Sequence, residues 1–359
     1  MQSIIIGTGS YIPTENIHNS KFAENTFYDA DGKAFEKNTD EIIQKFHKIT
    51  DITERKYVSD DLVASDIGFF AAEEALNSSQ VDRESLDYLI VAHNFGDVRN
   101  GCGHSDFVPS LASRIKHKLK IENPNCVAYD LPFGCPGWLQ GMIQADYFLK
   151  SGDAKRALII GTETLSRISD PHDRDSMIYS DGAGATILEA VDTDEKVGIL
   201  SHASKSYTVD EAYLLWMDKS YNPELNGNGI YLKMNGHKLY VSALTKVPLV
   251  VKESIDKAGL TINDIQKVLI HQANAKMDEA ILKRLFDLYQ SKTDPHKVMP
   301  MTISWLGNSS VATVPTLLDM LLKGKLNNHI SGGGKNLVFT SVGAGLNINS
   351  MVYKMPKED

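Results

Sequence analysis

The chain has 359 residues, and its 37 Lys and Arg against 46 Asp and Glu give a formal charge of −9 at neutral pH. With 42% hydrophobic and 8% aromatic residues it has a globular composition, which excludes intrinsic disorder. The length fits about two domains' worth of core or one duplicated fold. An acidic balance argues against nucleic acid and membrane surfaces as main partners, because both need clustered Lys and Arg.

In chain order, short β-branched runs predict strands at residues 3–6, 88–92, 126–129, 156–161, 185–189, 267–271 and 336–341. Helical periodicity is clear at Met277, Ile281, Leu282, Leu285, Phe286 and Leu288, and again at Val311, Val314, Leu317, Leu318, Leu321 and Leu322. Strands alternating with helices predict an α/β fold. Residues 81–92 lie on residues 260–271 without a gap, 179 positions apart. Cys135 and Asn308, 173 apart, each precede a helix that ends at a Gly before a strand. Both offsets are close to half the chain. They predict two copies of one α/β unit about a pseudo-two-fold axis, residues 1–191 and 192–359, with matching element ends meeting at the centre. Residues 93–107 and 204–235 do not fit the repeat and read as excursions over a site.

Three cysteines, Cys102, Cys126 and Cys135, show neither Cys-x-x-Cys spacing nor a companion His pair, so no disulfide framework and no metal site is expected. Met1 to Gly7 lacks a basic region, and no segment reaches the ~20 apolar residues of a membrane span, so the expected location is a reducing cytoplasm.

Cys135, in Leu131-Pro132-Phe133-Gly134-Cys135-Pro136-Gly137, falls between a strand and a helix. Pro136 suits the first helical position, and the helix N-terminus would favour thiolate over thiol. The alternative is a small buried hydrophobe, the usual fate of a free Cys. His271 ends a strand and opens His271-Gln272-Ala273-Asn274; it is either a satisfied core histidine or, at a strand C-terminus, a ligand-facing one. Asn308, in Gly307-Asn308-Ser309-Ser310, is a helix cap or a hydrogen-bond donor at a site. Cys, His and Asn at three strand-helix junctions, two of them repeat-matched, argue for chemistry rather than coincidence.

Together with Asp170-Pro171-His172-Asp173-Arg174, Asp181-Gly182-Ala183-Gly184-Ala185 and Val342-Gly343-Ala344-Gly345, these strings resemble, in order and spacing, the β-ketoacyl-acyl-carrier-protein synthase III family of thiolase-fold condensing enzymes. The resemblance implies a thiolase-like α/β fold of two βαβαβαββ halves in a five-layer α-β-α-β-α sandwich. It implies an acyltransferase: Cys135 takes the acyl group of a thioester, and His271 and Asn308 bind the malonyl-carrier carbonyl through decarboxylation to the enolate. The backbone N–H groups of Cys135 and Ala344 would form the oxyanion hole, with no cofactor. Implied partners are acyl-carrier protein or CoA thioesters and a second subunit in a homodimer.

Arg174 is kept from the family pattern as a substrate-binding candidate, and Lys276, Lys283 and Arg284 would offer an acidic carrier a basic helix face. Val108 falls where the family caps the partner subunit's acyl pocket, in a longer loop and beside Phe107. The chain departs from the pattern at Pro136, at Ile42 and Ile49 where an aromatic and an arginine are usual, and at Val241 in place of a lysine. These departures argue against an acetyl-CoA starter. They admit a specialised condensing enzyme that joins a β-ketoacyl and an acyl thioester, as in dialkylresorcinol formation. A non-catalytic acyl- or carrier-binding subunit and a thioesterase are the alternatives outside that class. The glutamate base of a 3-hydroxy-3-methylglutaryl-CoA synthase is missing between Leu131 and Gln144.

Overall fold

A computed structural model describes residues 1–225, 227 and 229–357; residues 226 and 228 of the second excursion, and the last two of the second half, lie outside it. The strands are β1 (Gln2–Tyr11), β2 (Glu15–His18), β3 (Glu54–Tyr57), β4 (Tyr88–His93), β5 (Val127–Pro132), β6 (Arg156–Thr164), β7 (Asp181–Val191), β8 (Gly198–Ser206), β9 (Leu215–Asp218), β10 (Tyr231–Met234), β11 (Ile265–Ile270), β12 (Asn336–Gly343) and β13 (Asn347–Lys354). The helices are α1 (Thr39–Thr50), α2 (Ala64–Ser79), α3 (Leu111–Lys118), α4 (Gly137–Ser151), α5 (Gly236–Lys257), α6 (Ala275–Leu288), α7 (Pro295–Val298), α8 (Ile303–Leu306) and α9 (Thr313–Leu322).

Two mixed sheets carry the fold, ordered β1-β7-β6-β4-β5 and β11-β12-β13-β8. Helix α2 packs outside the first sheet, α5 and α6 outside the second, and α4 and α9 lie between them, giving five layers. The repeat read from the sequence is visible in this order. Strand β4 matches β11, each preceded by a 3-10 turn (Arg83–Ser85 and Ile262–Asp264); α4 matches α9; β6 and β7 match β12 and β13.

The third strand of the second half does not form, so that half is a β-strand short of the expected βαβαβαββ. Its place falls at residues 299–302, where Pro300 has no N–H to give a ladder. The side chain of Gln272 serves this backbone instead. Its Nε2 donates to Pro300 O at 2.7 Å, and its Oε1 accepts from Thr302 N at 2.8 Å and Ile303 N at 3.0 Å.

Helix α9 is buried from Thr313 to Leu321, as a helix covered on both faces must be. The helix and the 3-10 turn before it (Ser310–Ala312) lie close to the first sheet because that sheet offers glycines: a Cβ on Gly161 would lie 2.5 Å from Val311 O in the turn, and one on Gly184 2.7 Å from Pro315 Cβ in the helix. Gly184 of the Asp-Gly-Ala-Gly-Ala string is thus a packing residue, as is Asp181, whose carboxylate accepts from Ser166 N and Val58 N, each at 2.9 Å. No helix of the described residues is long and apolar enough to cross a membrane.

Candidate active site

Strand β5 and helix α4 meet at an elbow that presents Cys135. Gly134 there has φ +74°, a left-handed conformation that costs a glycine nothing. Pro136 is the cap of α4 rather than its first residue; its carbonyl accepts the bond from Gln140 N at 2.9 Å. The expected thiolate bias of the helix terminus is overridden. Burial pushes the Cys135 thiol up to about 11, a hydrogen bond from Ser310 Oγ at 3.3 Å opposes that, and the nearby Glu163 adds to it. At neutral pH Cys135 rests as a thiol.

His271 follows β11, its N–H donating to Thr340 O at 2.9 Å. Burial lowers its pKa to about 4, with the Ser310 backbone acting the other way, so the imidazole is neutral at physiological pH. Its Nδ1 is buried without a hydrogen-bond partner among the described residues. A neutral imidazole still has one N–H to give. Three residues on, Asn274 caps α6 by accepting from Met277 N at 3.1 Å, so the rest of the His-Gln-Ala-Asn string is architectural.

Asn308 is pinned through its backbone to the segment before β7: its N–H donates to Ile178 O at 3.0 Å, and its carbonyl accepts from Ser180 N at 2.8 Å. Its side-chain Oδ1 accepts from Ser310 N at 2.8 Å, which leaves Nδ2 as a donor without a partner among the described residues. Cys135, His271 and Asn308 all line one cavity of about 1100 Å³, joined by Ala344.

The turn after β12 presses on the Cys135 elbow. A Cβ on Gly134 would lie 3.1 Å from Ala344 N, and one on Gly343 would lie 2.6 Å from Cys135 N. The N–H groups of Cys135 and Ala344 therefore flank the thiol on adjoining backbone, and neither has an acceptor on another described residue. This arrangement can stabilise an oxyanion on a carbonyl held at Sγ.

The cavity runs from these groups to a mouth lined by Lys33, Lys37, Lys45 and Arg174, along a wall that includes Ile42, Phe46, Leu215, Trp216, Leu232 and Met234. The wall residues from 215 to 234 belong to the β9–β10 hairpin in the second excursion. A buried ion pair anchors the hairpin: Lys233 Nζ lies 2.5 Å from Asp170 Oδ2, an oxygen that also accepts from Tyr221 N at 2.8 Å. That bond fixes the Asp170–Arg174 stretch and so places Arg174 at the mouth. The guanidinium sits over the Phe35 ring at 5.2 Å. Ile42 and Ile49 both line the cavity.

The remaining sequence candidates stand apart. Val108 is 85% exposed on the first excursion and does not line this cavity; Phe107 beside it is also exposed. Lys276, Lys283 and Arg284 are exposed on α6, outside the cavity and without ion-pair partners among the described residues. Val241 is half exposed, while its neighbours Leu239 and Tyr240 line the cavity. Sequence reading missed Phe35, Asn94, Glu163 and Ser310. The only signal for Asn94 was its place in an excursion, and for Ser310 its place two residues after Asn308.

The profile of 3-oxoacyl-[acyl-carrier-protein] synthase III matches residues 129–208, and that of its C-terminal region matches residues 255–355. The chain is 33% identical over 325 residues to the β-ketoacyl-[acyl-carrier-protein] synthase III of Xanthomonas campestris pv. campestris, covering 88% of each chain. Among solved structures, 3-oxoacyl-[acyl-carrier-protein] synthase III from Pseudomonas aeruginosa matches with a TM-score of 0.80 at 26% identity over 100% of both chains. The Aquifex aeolicus enzyme matches with a TM-score of 0.78 at 27% identity, over 98% of this chain and 99% of its own. This chain belongs to the β-ketoacyl-acyl-carrier-protein synthase III family of thiolase-fold enzymes.

Proposed function

We propose that the protein is an acyltransferase that extends an acyl thioester by decarboxylative Claisen condensation with a malonyl-carrier thioester. The observation that carries this reading is the convergence of Cys135, His271, Asn308 and the Ala344 turn on one cavity with an open mouth. In the first half-reaction Cys135 Sγ attacks the acyl carbonyl, the N–H groups of Cys135 and Ala344 hold the oxyanion, and the carrier thiol leaves with the proton. In the second, the malonyl C–C bond to its carboxylate breaks and CO₂ departs. The electron pair becomes an enolate whose oxygen accepts from His271 and Asn308. The enolate carbon then attacks the acyl-Cys carbonyl, and Cys135 leaves as thiolate. Two neutral donors suit an enolate that must form and then react.

In this reading residues 1–191 carry the nucleophile and residues 192–359 the decarboxylating pair. The cavity's size and apolar wall support an acyl group longer than two carbons. Arg174 and the lysines at the mouth suit the phosphate of a pantetheine arm, and Lys276, Lys283 and Arg284 an acidic carrier. Among the described residues strand β5 ends its sheet with one edge unpaired, and Val127 on it is 49% exposed. That edge supports a homodimer in which Val108 meets the partner's acyl pocket. The three free thiols suit the cytoplasm. Product mass after incubation with acyl and malonyl-carrier thioesters tests the reading: a β-ketoacyl product two carbons longer, with CO₂ release, supports it, whereas a free fatty acid would mark a thioesterase.

A further inference from the structure

Beneath Cys135 lies a hydrogen-bond chain that the condensation as written does not use. Glu163, near the end of β6, is buried, and its Oε2 accepts from the backbone N–H of Asn94 at 3.0 Å and from Asn94 Nδ2. The same Nδ2 also donates to Ser310 Oγ at 3.1 Å, and Ser310 Oγ reaches Cys135 Sγ at 3.3 Å. The directions of these bonds follow from one another. An ionised carboxylate only accepts, so the Asn94 group facing Glu163 Oε2 is its amide NH₂, which has a second proton for Ser310; burial raises Glu163 to about 7, so it is ionised in the alkaline range where the thiol titrates. A hydroxyl that accepts from Asn94 turns its own proton outward, toward the sulfur.

Ser310 is placed for this at a conformational cost. Its φ is +52°, in the region that non-glycine residues rarely adopt. In that conformation its N–H reaches Asn308 Oδ1 at 2.8 Å, and its backbone lies against the His271 imidazole. One buried residue thereby touches all three catalytic candidates.

Resting on the reading of Cys135 as nucleophile, we propose that Ser310 is a positioning residue whose hydroxyl, oriented by Asn94 and Glu163, donates to the Cys135 sulfur and stabilises its thiolate. The hydrogen bond favours the charged sulfur in a site where burial disfavours it, while the Glu163 carboxylate opposes it. The two influences have opposite signs, which makes them separable.

The pH dependence of Cys135 alkylation by iodoacetamide, followed by peptide mass spectrometry, reads thiolate formation directly. Besides Glu163 on β6, the titratable groups around the thiol are His271 after β11, Tyr179 before β7 and His93 on β4; none of them is altered. Ser310→Gly removes the hydroxyl and relieves the positive φ, so loss of fold is not its expected effect. Its alkylation midpoint is expected to rise by about one to two pH units. Glu163→Gln keeps an acceptor for Asn94 and removes the charge, and its midpoint is expected to fall. Acyl-Cys135 formation should slow in Ser310→Gly and in Ser310→Ala, and should recover in part with Ser310→Thr. Midpoints unchanged in both Ser310→Gly and Glu163→Gln, with wild-type Cys135 still acylated by thioesters, would overturn the relay alone. Failure of wild-type Cys135 to acylate would overturn the nucleophile reading and the relay with it.

Discussion

Cys135 meets opposing influences: a helix terminus and a serine hydroxyl favour thiolate, and burial favours thiol, with burial the largest. Its reactivity therefore depends both on the Ser310 hydroxyl, which favours the minor thiolate form, and on the groups that receive the substrate carbonyl. His271 and Asn308 act later in the proposed cycle. His271→Ala and Asn308→Ala are expected to retain acyl-Cys135 in a mass spectrum yet lose condensation by about 10²-fold or more, as removal of an oxyanion donor does elsewhere. Equal loss of both half-reactions would assign them a structural role. Cys135 and His271 were legible in the sequence as candidates because each stands at a strand-helix junction; Asn308 lies instead between α8 and the 3-10 turn before α9, so the junction expected there is absent, and its Gly307 neighbour and its offset from Cys135 were the signal. Ser310, Asn94 and Glu163 were not, because hydrogen-bond direction depends on atoms brought together from β4, β6 and the turn before α9.

At the scale of elements, the Cys135 elbow and the Gly343-Ala344 turn are packed without slack. Gly343 has an extended φ of −163°, so an added methyl meets only a steric objection: Cys135 N at 2.6 Å and Pro136 Cδ at 2.8 Å. Gly343→Ala is expected to cost about 1–3 kcal/mol in denaturant unfolding and to slow acylation by displacing the nucleophile. In α6, Asp278 is fully buried, and neither carboxylate oxygen has a partner among the described residues. Burial raises its pKa well above the ordinary 3.8, with a backbone contact at Asn274 opposing and Glu279 adding. The folded chain keeps a proton that the unfolded chain has lost, so this group makes stability fall as pH rises from that ordinary value toward the folded pKa. Asp278→Asn should therefore gain on wild type by at least about 1 kcal/mol between about pH 5 and about pH 8. A gap independent of pH would show that Asp278 is not the titrating group.

Elements with strong periodicity, such as α6 and α9, were readable from sequence alone. The β9–β10 hairpin was not, because its register depends on the buried Lys233–Asp170 pair, 63 residues apart in sequence. The missing third strand of the second half also depended on a distant group, the Gln272 side chain that takes over the backbone around Pro300.

Across the whole molecule, duplication brings Cys135 from one half and Asn308 from the other to matched helix starts facing one cavity, which explains why two offsets near half the chain length pointed to the site. Charge is also distributed on this scale: an acidic molecule keeps exposed Lys276, Lys283 and Arg284 together on α6. A Lys283→Glu, Arg284→Glu double variant is expected to raise KM for carrier-borne substrates several-fold with kcat nearly unchanged, and to weaken the salt dependence, while leaving a small soluble thioester unaffected. An unchanged KM for the carrier would move docking to another face.

Intact-protein mass spectrometry of wild type and Cys135→Ala, exposed to a panel of acyl-CoA and acyl-carrier thioesters, tests covalent catalysis most directly. An adduct of one acyl mass on wild type and none on Cys135→Ala is the expected result, and the most efficient donor identifies the first substrate. Absence of an adduct from every donor, or an adduct that persists in Cys135→Ala, would contradict a Cys135 acyl-enzyme.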